Sequence, residues 1–145
     1  MEEQFEMIVR GRRFKHLMES RSAQLRKEFG LKRMELEVLY FLSISGERNT
    51  SADICRYLNV NKGHISQTMD SLGRMHFLKA VQDRNDRRYV HYLLTEEAQE
   101  VVEGIQRNWE DMNRQIFDGI TVEEQEIYKR ISEKIRNNME KMTGI

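Results

Sequence analysis

The amino-acid sequence predicts a mainly α-helical fold with one small β-hairpin. Apolar residues recur at helical spacing through both ends of the chain. Between these ends, two short amphipathic segments joined by a tight turn precede two segments that are rich in aromatic and branched residues. The length of 145 residues suits a single domain.

The first predicted element is a long helix over residues 2–29, which Gly30 ends. This helix would be roughly 40 Å long at ~1.5 Å per residue, which is more than one small domain usually covers. Part of its apolar stripe is therefore expected to pack against a second subunit. A shorter helix is predicted over residues 32–44. The residues expected at the subunit contact are Phe5, Ile8 and Val9.

Two short helices joined by a tight turn are predicted next. Ser51 is expected to cap the first helix and Asn61 to cap the second, each through its side-chain oxygen. In the second helix, Ile65, Met69 and Leu72 stand at positions i, i+4 and i+7, a spacing that predicts a single buried face.

Two strands and two long helices complete the predicted chain. The predicted strands are 77–82 and 89–94. Thr95 is the expected cap of a helix over residues 95–117, and Thr121 begins a capping box in the terminal segment 118–145. The apolar residues of this last helix are expected to join the subunit contact. They are Ile127, Ile131 and Ile135.

A helix-turn-helix followed directly by a two-stranded hairpin is a winged helix. We therefore predict a mainly α protein with a small β-hairpin, in which a winged helix-turn-helix DNA-binding lobe lies between N- and C-terminal dimerisation helices. The predicted division of the single domain 1–145 is 1–30 and 118–145 as dimerisation helices, 32–94 as the winged helix-turn-helix, and 95–117 as the connecting helix.

The charge is zero overall but unevenly distributed. Residues 47–94 carry eight basic and five acidic side chains, whereas residues 95–145 carry seven basic and twelve acidic ones. This asymmetry favours DNA at one end of the chain, although a chance distribution would explain it equally well. The longest apolar run, Val38–Leu42, is far shorter than the ~20 residues of a membrane span. The segment Met1–Phe5 is acidic and has no apolar core, so we expect no secretory signal, no membrane association and a cytoplasmic protein.

The second short helix carries the candidate DNA-reading residues. In a helix-turn-helix, this helix enters the major groove with its N-terminal residues near base edges. The side opposite its buried face carries Gly63, Gln67, Asp70 and Arg74, flanked by His64 and Ser66. Gln67 can bond an adenine edge twice, Lys62 can meet a phosphate, and Gly63 allows close backbone approach. Ser51 and Asn61 complete the predicted contacts on these helices. The alternative is an ordinary solvent-exposed helix face.

The tip of the hairpin alternates acidic and basic residues. Arg84, Arg87 and Arg88 are the candidate DNA contacts. Asp83 and Asp86 are expected to support them, because a carboxylate can hold a guanidinium by forked hydrogen bonds and present it to a minor groove or a phosphate. Two alternatives stay open at this point: that Arg88 braces the hairpin against its own lobe, and that these residues are simply a polar turn.

These segments resemble the MarR family of winged helix-turn-helix regulators. The residues that carry the resemblance are Ala52–Leu58, Lys62–Leu72, Asp83–Arg88 and Leu94–Glu97. The resemblance implies a homodimer that binds a pseudo-palindromic site in double-stranded DNA, in most cases as a repressor. It also implies release by a small lipophilic or phenolic effector, or by an oxidant.

The sequence departs from the family pattern at two places. His76–Leu78 replace a usual Gly-Leu-Val step, and Ala80 stands where an arginine is common. Ala80 and the zero net charge favour an alternative function, a winged-helix protein-interaction module that does not bind DNA. Gly63 and Gln67, together with the arginines of the hairpin, favour DNA binding.

No catalytic or metal-binding motif accompanies these features. The sequence contains no Gly-rich phosphate loop, nucleophile elbow or paired-carboxylate motif, so we expect neither enzymatic activity nor a cofactor. The histidines have no metal-ligand spacing, and no metal site is expected. Cys55, the single cysteine, lies on an apolar stripe and is expected to be structural rather than a redox sensor.

Overall fold

The computed structural model describes residues 1–144 and contains six helices and two strands in that range. The elements are α1 (Glu2–Phe29), α2 (Arg33–Ile44), α3 (Ser51–Leu58), α4 (Lys62–Arg74), β1 (Leu78–Gln82), β2 (Val90–Leu94), α5 (Gln99–Ile116) and α6 (Val122–Thr143). The predicted mainly α fold with one small hairpin is confirmed. None of these helices is long and apolar enough to cross a membrane.

The chain divides into two compact units, Met1–Asn108 and the residues from Trp109 onward. The first unit contains the helix-turn-helix and the hairpin. Its core includes Leu39 of α2, Ile54 of α3 and Val101 of α5, each with no exposed surface. In the second unit, Thr121 caps α6 through a capping box with Glu124, as predicted. No residue of α6 is buried.

The buried face predicted for α4 is confirmed. Ile65 and Leu72 have no exposed surface, and Met69 is 4% exposed. Asn61 caps this helix, and its Oδ1 accepts a hydrogen bond from the His64 N–H at 2.9 Å. The turn from α3 into α4 is tight because Asn59 adopts a left-handed conformation, with φ 52° and ψ 49°.

The predicted cap of α3 is wrong by one residue. Thr50, not Ser51, is the N-cap, and Ser51 is the first helical residue. The Thr50 hydroxyl oxygen accepts from the Asp53 N–H at 3.3 Å, and the Asp53 carboxylate accepts from the Thr50 N–H at 3.1 Å. Two neighbouring hydroxyl residues offer the same local signal, and the carboxylate three residues after Thr50 completes a reciprocal capping box only there.

The predicted start of the connecting helix is also wrong. Thr95 does not cap it, because α5 begins four residues later, at Gln99; the Thr95 hydroxyl instead donates to the backbone carbonyl of His76 at 2.6 Å. A turn follows, in which the Ala98 N–H donates to the Thr95 carbonyl at 3.2 Å, and α5 begins only at Gln99. The hydroxyl of Thr95 therefore ties the end of β2 to the segment before β1 instead of starting a helix.

The hairpin is antiparallel, with Leu78 paired to Leu94 and Gln82 paired to Val90. Each strand begins one residue later than predicted. The hairpin is also joined to the loop before α3, because the Tyr92 N–H donates to the Asn49 carbonyl at 2.9 Å and Thr50 forms an isolated bridge with His91. The hairpin is thus fixed to the start of the helix-turn-helix as well as to its end.

Candidate nucleic-acid interface

The N-terminal part of α4 presents a row of exposed polar residues over a buried apolar base. We call this row the reading face; it consists of Lys62, Gly63, His64, Ser66 and Gln67, all exposed. Thr68 behind it is 5% exposed and donates its hydroxyl to the His64 carbonyl at 2.9 Å. The side chains of the reading face therefore point outward from a helix whose other side is fixed by burial.

The packing around position 63 does not require a glycine. A Cβ atom added at this position would meet only the Asn61 Oδ1 at 3.5 Å, which is an ordinary van der Waals contact. The absence of an internal reason at Gly63 is consistent with an external one, the close approach of a partner molecule.

The tip of the hairpin is ordered by the carboxylate of Asp83. Its Oδ1 accepts hydrogen bonds from the N–H groups of Asn85 at 2.7 Å and Asp86 at 2.8 Å. Its Oδ2 lies 2.9 Å from the His91 Nε2. The hydrogen bond with His91, followed by those from the two backbone groups, lowers the pKa of Asp83.

Asp86 holds one of the arginines of the tip by a forked pair of hydrogen bonds. The Arg88 Nε donates to the Asp86 Oδ1 at 3.0 Å, and the Arg88 Nη2 donates to the Asp86 Oδ2 at 2.7 Å. This hydrogen bonding lowers the pKa of Asp86. The Arg88 side chain nevertheless stays 85% exposed. Arg88 is therefore held within the hairpin and directed outward, and it does not brace the hairpin against the helices.

The other two arginines of the tip differ from Arg88 in their surroundings. Arg84 and Arg87 are exposed, and neither forms an ion pair with a residue of the described range 1–144. The position of Arg87 is fixed through its backbone, because its carbonyl accepts from the Gln82 side-chain amide at 2.9 Å. Together β1, β2 and this tip form the wing, Leu78–Leu94, which presents three guanidinium groups to solvent.

Not all the predicted contacts lie together. Ser51 is half-buried at the start of α3. Arg74 is at the opposite end of α4 from Lys62, roughly 18 Å along the axis at 1.5 Å per residue. Arg74 nevertheless lines one groove of about 790 Å³ together with His64 and Gln67 of the reading face and with residues of α1 and α2.

Sequence reasoning missed this groove and the polar residues that shape it. Glu35 is only 3% exposed, and its carboxylate accepts from the Lys32 N–H and from the Ser71 hydroxyl, both at 2.7 Å. Glu35 therefore joins the start of α2 to α4. Arg26 also lines the groove, and its buried Nε has no hydrogen-bond partner among the described residues. Glu35 at the third position of α2 was the one available signal, because a carboxylate at this position can accept from the backbone N–H of the residue that precedes the helix.

A helix-turn-helix (α3 and α4) followed directly by a two-stranded hairpin defines the winged-helix fold. Residues 31–98 match a family model described as a winged helix DNA-binding domain. No curated protein sequence matches the chain.

Solved structures of MarR-type regulators share this fold over almost the whole chain. MepR from S. aureus in its DNA-binding conformation is 20% identical, with a TM-score of 0.83 over 92% of this chain and 98% of that one. A MarR/EmrR family transcriptional regulator from Acinetobacter sp. ADP1 is 19% identical, with a TM-score of 0.79 over 96% of this chain and 97% of that one.

A third similar structure is that of Streptococcus pneumoniae FabT in complex with DNA. It is 18% identical to this chain, with a TM-score of 0.76 over 98% of this chain and 99% of that one. Residues 31–98 therefore form a winged-helix domain, and the chain has the fold of the MarR-family regulators, which confirms the fold that the resemblance implies.

Proposed function

We propose that this protein is a transcription regulator that binds a specific DNA sequence as a homodimer, represses transcription there, and is released by a small-molecule effector. The observation that carries DNA binding is the pairing of the reading face with the wing. Gln67 on the reading face supplies a donor and an acceptor for a base edge, and Arg84 and Arg87 on the wing supply unpaired positive charge. The capture of S. pneumoniae FabT in complex with DNA supports this use of the fold.

Homodimerisation is supported by the apolar surface that the terminal helices leave exposed. Phe5 is 63% exposed and Ile8 53% exposed on α1, and Ile131 is 49% exposed on α6. A two-fold axis would cover such surfaces on both copies at once. It would also set the two recognition helices about one DNA turn apart, ~34 Å, as a pseudo-palindromic site requires. Sedimentation of the protein at micromolar concentration is expected to give a dimer, and an Ile131→Asp variant is expected to shift it toward monomer.

An effector site is supported by the groove between α1, α2 and α4. Arg26, Lys32 and Arg74 line it and give it a positive character, and Met34 adds an apolar wall. An aromatic molecule with a carboxylate or phenolate group could pack its ring against Met34 and place its negative charge near the basic side chains. A panel of such compounds is expected to raise the melting temperature of the wild-type protein and to do so less for an Arg26→Met variant. A panel that shifts neither protein would argue against this part of the proposal.

A titration of random duplex DNA at two salt concentrations tests the DNA-binding proposal. If the protein neutralises DNA phosphates, the logarithm of its binding constant is expected to fall linearly with the logarithm of the salt concentration. The slope is expected to be about −0.9 for each phosphate that is neutralised. The alternative, an interaction module without DNA binding, is favoured by the exposed Ala80 on β1 and by the zero net charge of the chain. Absence of binding even at low salt would leave that alternative as the better account.

A further inference from the structure

The groove of about 790 Å³ shares part of its lining with the reading face. The residues of α4 that line it stand at positions i, i+3, i+4, i+7 and i+10, a spacing that places them on one side of the helix. They are His64, Gln67, Thr68, Ser71 and Arg74. His64 and Gln67 also belong to the reading face. A molecule that fills the groove therefore meets two side chains that are expected to meet DNA.

The lining of the groove carries more positive than negative charge. Of its carboxylates, Glu19 pairs with Arg33, and Glu35 is engaged by hydrogen bonds from α2 and α4. His64 adds no negative charge in either of its protonation states. The remaining basic side chains of the lining form no ion pair with a residue of the range 1–144; they are Arg26, Lys32 and Arg74. An anion is therefore attracted to the groove.

The helix between the groove and the reading face is held in place from inside the protein. The Ser71 hydroxyl donates to the Glu35 carboxylate at 2.7 Å and so joins α4 to α2. Ile65 and Leu72 of α4 have no exposed surface. A molecule in the groove thus meets α4 as a fixed wall, and it reaches the reading face through the side chains that the two surfaces share.

The amide of Gln67 cannot serve both surfaces at the same time. To bond an adenine edge twice, it must donate through its nitrogen and accept through its oxygen together. A ligand group that takes either atom leaves the base with at most one of these two hydrogen bonds. Both orientations of the amide give this result, because both of its ends are needed at the base.

The distance between Gln67 and Arg74 indicates the size of the molecule that fits. The two residues are seven positions apart on α4, which is about 10 Å along the axis at ~1.5 Å per residue. Arg74 offers a cation to a carboxylate, and the Gln67 amide offers hydrogen bonds to a hydroxyl group. Two linked aromatic rings span such a length and can pack against Met34.

We propose that an aromatic molecule with a carboxylate at one end and a hydroxyl at the other fills this groove and engages Gln67, so that the protein loses its sequence preference but still binds random DNA. This inference rests on the proposed DNA-binding function and its effector groove, and it names how the effector acts. Release from the specific site follows because random DNA then competes for the loaded protein. Arg84 and Arg87 of the wing do not line the groove and keep their charge for DNA.

The first arm of the test follows the DNA-free protein by nuclear magnetic resonance while 4′-hydroxybiphenyl-4-carboxylate is added. The side-chain amide signals of Gln67 are expected to shift as the groove fills. Those of Gln106, which is exposed on α5 and is not part of the lining, are the control and are expected to stay in place. Absence of a shift at Gln67 in millimolar probe overturns the proposal.

The second arm measures affinity for a selected DNA site and for a random duplex, each with and without saturating probe. In the wild type, the probe is expected to lower the ratio of the two affinities by roughly 5- to 150-fold, the range for one bidentate base contact. Affinity for the random duplex is expected to change little. An unchanged ratio overturns the proposal, and so does an equal loss on both duplexes, which displacement of α4 would give.

Variants of the reading face decide whether Gln67 carries the effect. In Gln67→Ala the ratio of affinities is expected to be low already and not to respond to the probe. Ser66→Ala is the matched control, because Ser66 lies on the reading face but is not part of the groove lining. Whatever the affinity of this variant, the probe is expected to lower its ratio by the same factor as in the wild type.

Equal responses of Gln67→Ala and Ser66→Ala to the probe would overturn the proposal. Biphenyl-4-carboxylate, which lacks the hydroxyl group, is expected to leave the ratio of affinities of the wild type nearly unchanged; an effect equal to that of the hydroxylated probe would also overturn it. If no protein binds any DNA at low salt, the proposed function fails, and the first arm still decides whether a molecule in the groove engages Gln67.

Discussion

Beneath the reading face of α4 lie Ile65 and Leu72 with no exposed surface, whereas the wing tip is held by the carboxylates of Asp83 and Asp86 and by the ring of His91. The first support is apolar burial, which is insensitive to charge near neutral pH. The second consists of hydrogen bonds to the carboxylates of Asp83 and Asp86, which are at least partly exposed to solvent. We therefore expect changes of pH and salt to alter the conformation of the wing tip, whereas the reading face on α4 keeps its position.

The largest effect is expected from removing the apolar support of the reading face. Ile65→Ala should cost roughly 2–5 kcal/mol of unfolding free energy, because it leaves a cavity beneath α4. Urea denaturation followed by circular dichroism measures this loss. Arg84→Ala on the wing is the control and should change stability by less than about 0.5 kcal/mol. Equal losses of unfolding free energy in the two variants would show that α4 and the wing do not differ in how they are stabilised.

The reading face is expected to determine sequence preference. Gln67→Ala should weaken binding to a selected site by roughly 1–3 kcal/mol and leave binding to random duplex nearly unchanged, because a base-edge contact carries sequence information. Fluorescence anisotropy with both duplexes measures the two affinities. Gln106→Ala, on the exposed surface of α5, is the control and should bind both as the wild type does. An equal loss on both duplexes would show that Gln67 contacts only the backbone.

The wing is expected to supply affinity without sequence preference. Arg87→Ala should weaken binding to selected and random duplexes alike and reduce the salt slope by about one unit per subunit if the guanidinium meets a phosphate. Salt titrations of the wild type and the variant measure the slope. Unchanged affinity for Arg87→Ala and Arg88→Ala would show that the wing does not contact DNA.

The smallest effect is a local one at acidic pH. The pKa of Asp83 is lowered chiefly by its hydrogen bond with His91, so its stabilising contribution is complete above the ordinary aspartate range and is lost as the pH falls through the lowered value. Protection of the Asn85 and Asp86 amides from hydrogen exchange, taken relative to the intrinsic rate at each pH, should therefore fall below about pH 4, before the protection of α4 falls. Asp83→Asn should show this lower protection already at neutral pH. If α4 and the wing tip lose protection at the same pH, the two regions are not stabilised independently.

The parts of this structure that were predicted correctly depend on local spacing. The positions of Ile65, Met69 and Leu72 fix a helix face, and the side-chain oxygen of Asn61 can cap only the helix that follows it. Such features need no knowledge of the rest of the fold. The helices, the hairpin and the winged-helix arrangement could therefore be predicted from the sequence.

The parts that were missed depend on partners distant in the sequence. Thr95 looked like a helix cap, but its hydroxyl binds the carbonyl of His76, 19 residues away. His91 and Asn49 are separated by 42 residues, and Glu35 and Ser71 by 36. No spacing rule identifies such pairs, so neither the contact of His91 with Asn49 nor the hydrogen bond between Glu35 and Ser71 could be predicted from the sequence.

The most direct test of DNA reading by α4 is a selection of binding sites from a pool of random duplexes, carried out in parallel with the wild type and Gln67→Ala. The wild type is expected to enrich an inverted repeat whose half-sites lie about 10 base pairs apart, centre to centre. The variant is expected to lose the preference at one position of each half-site. Enrichment of no sequence by the wild type, or of the same sequence by both proteins, would contradict the account.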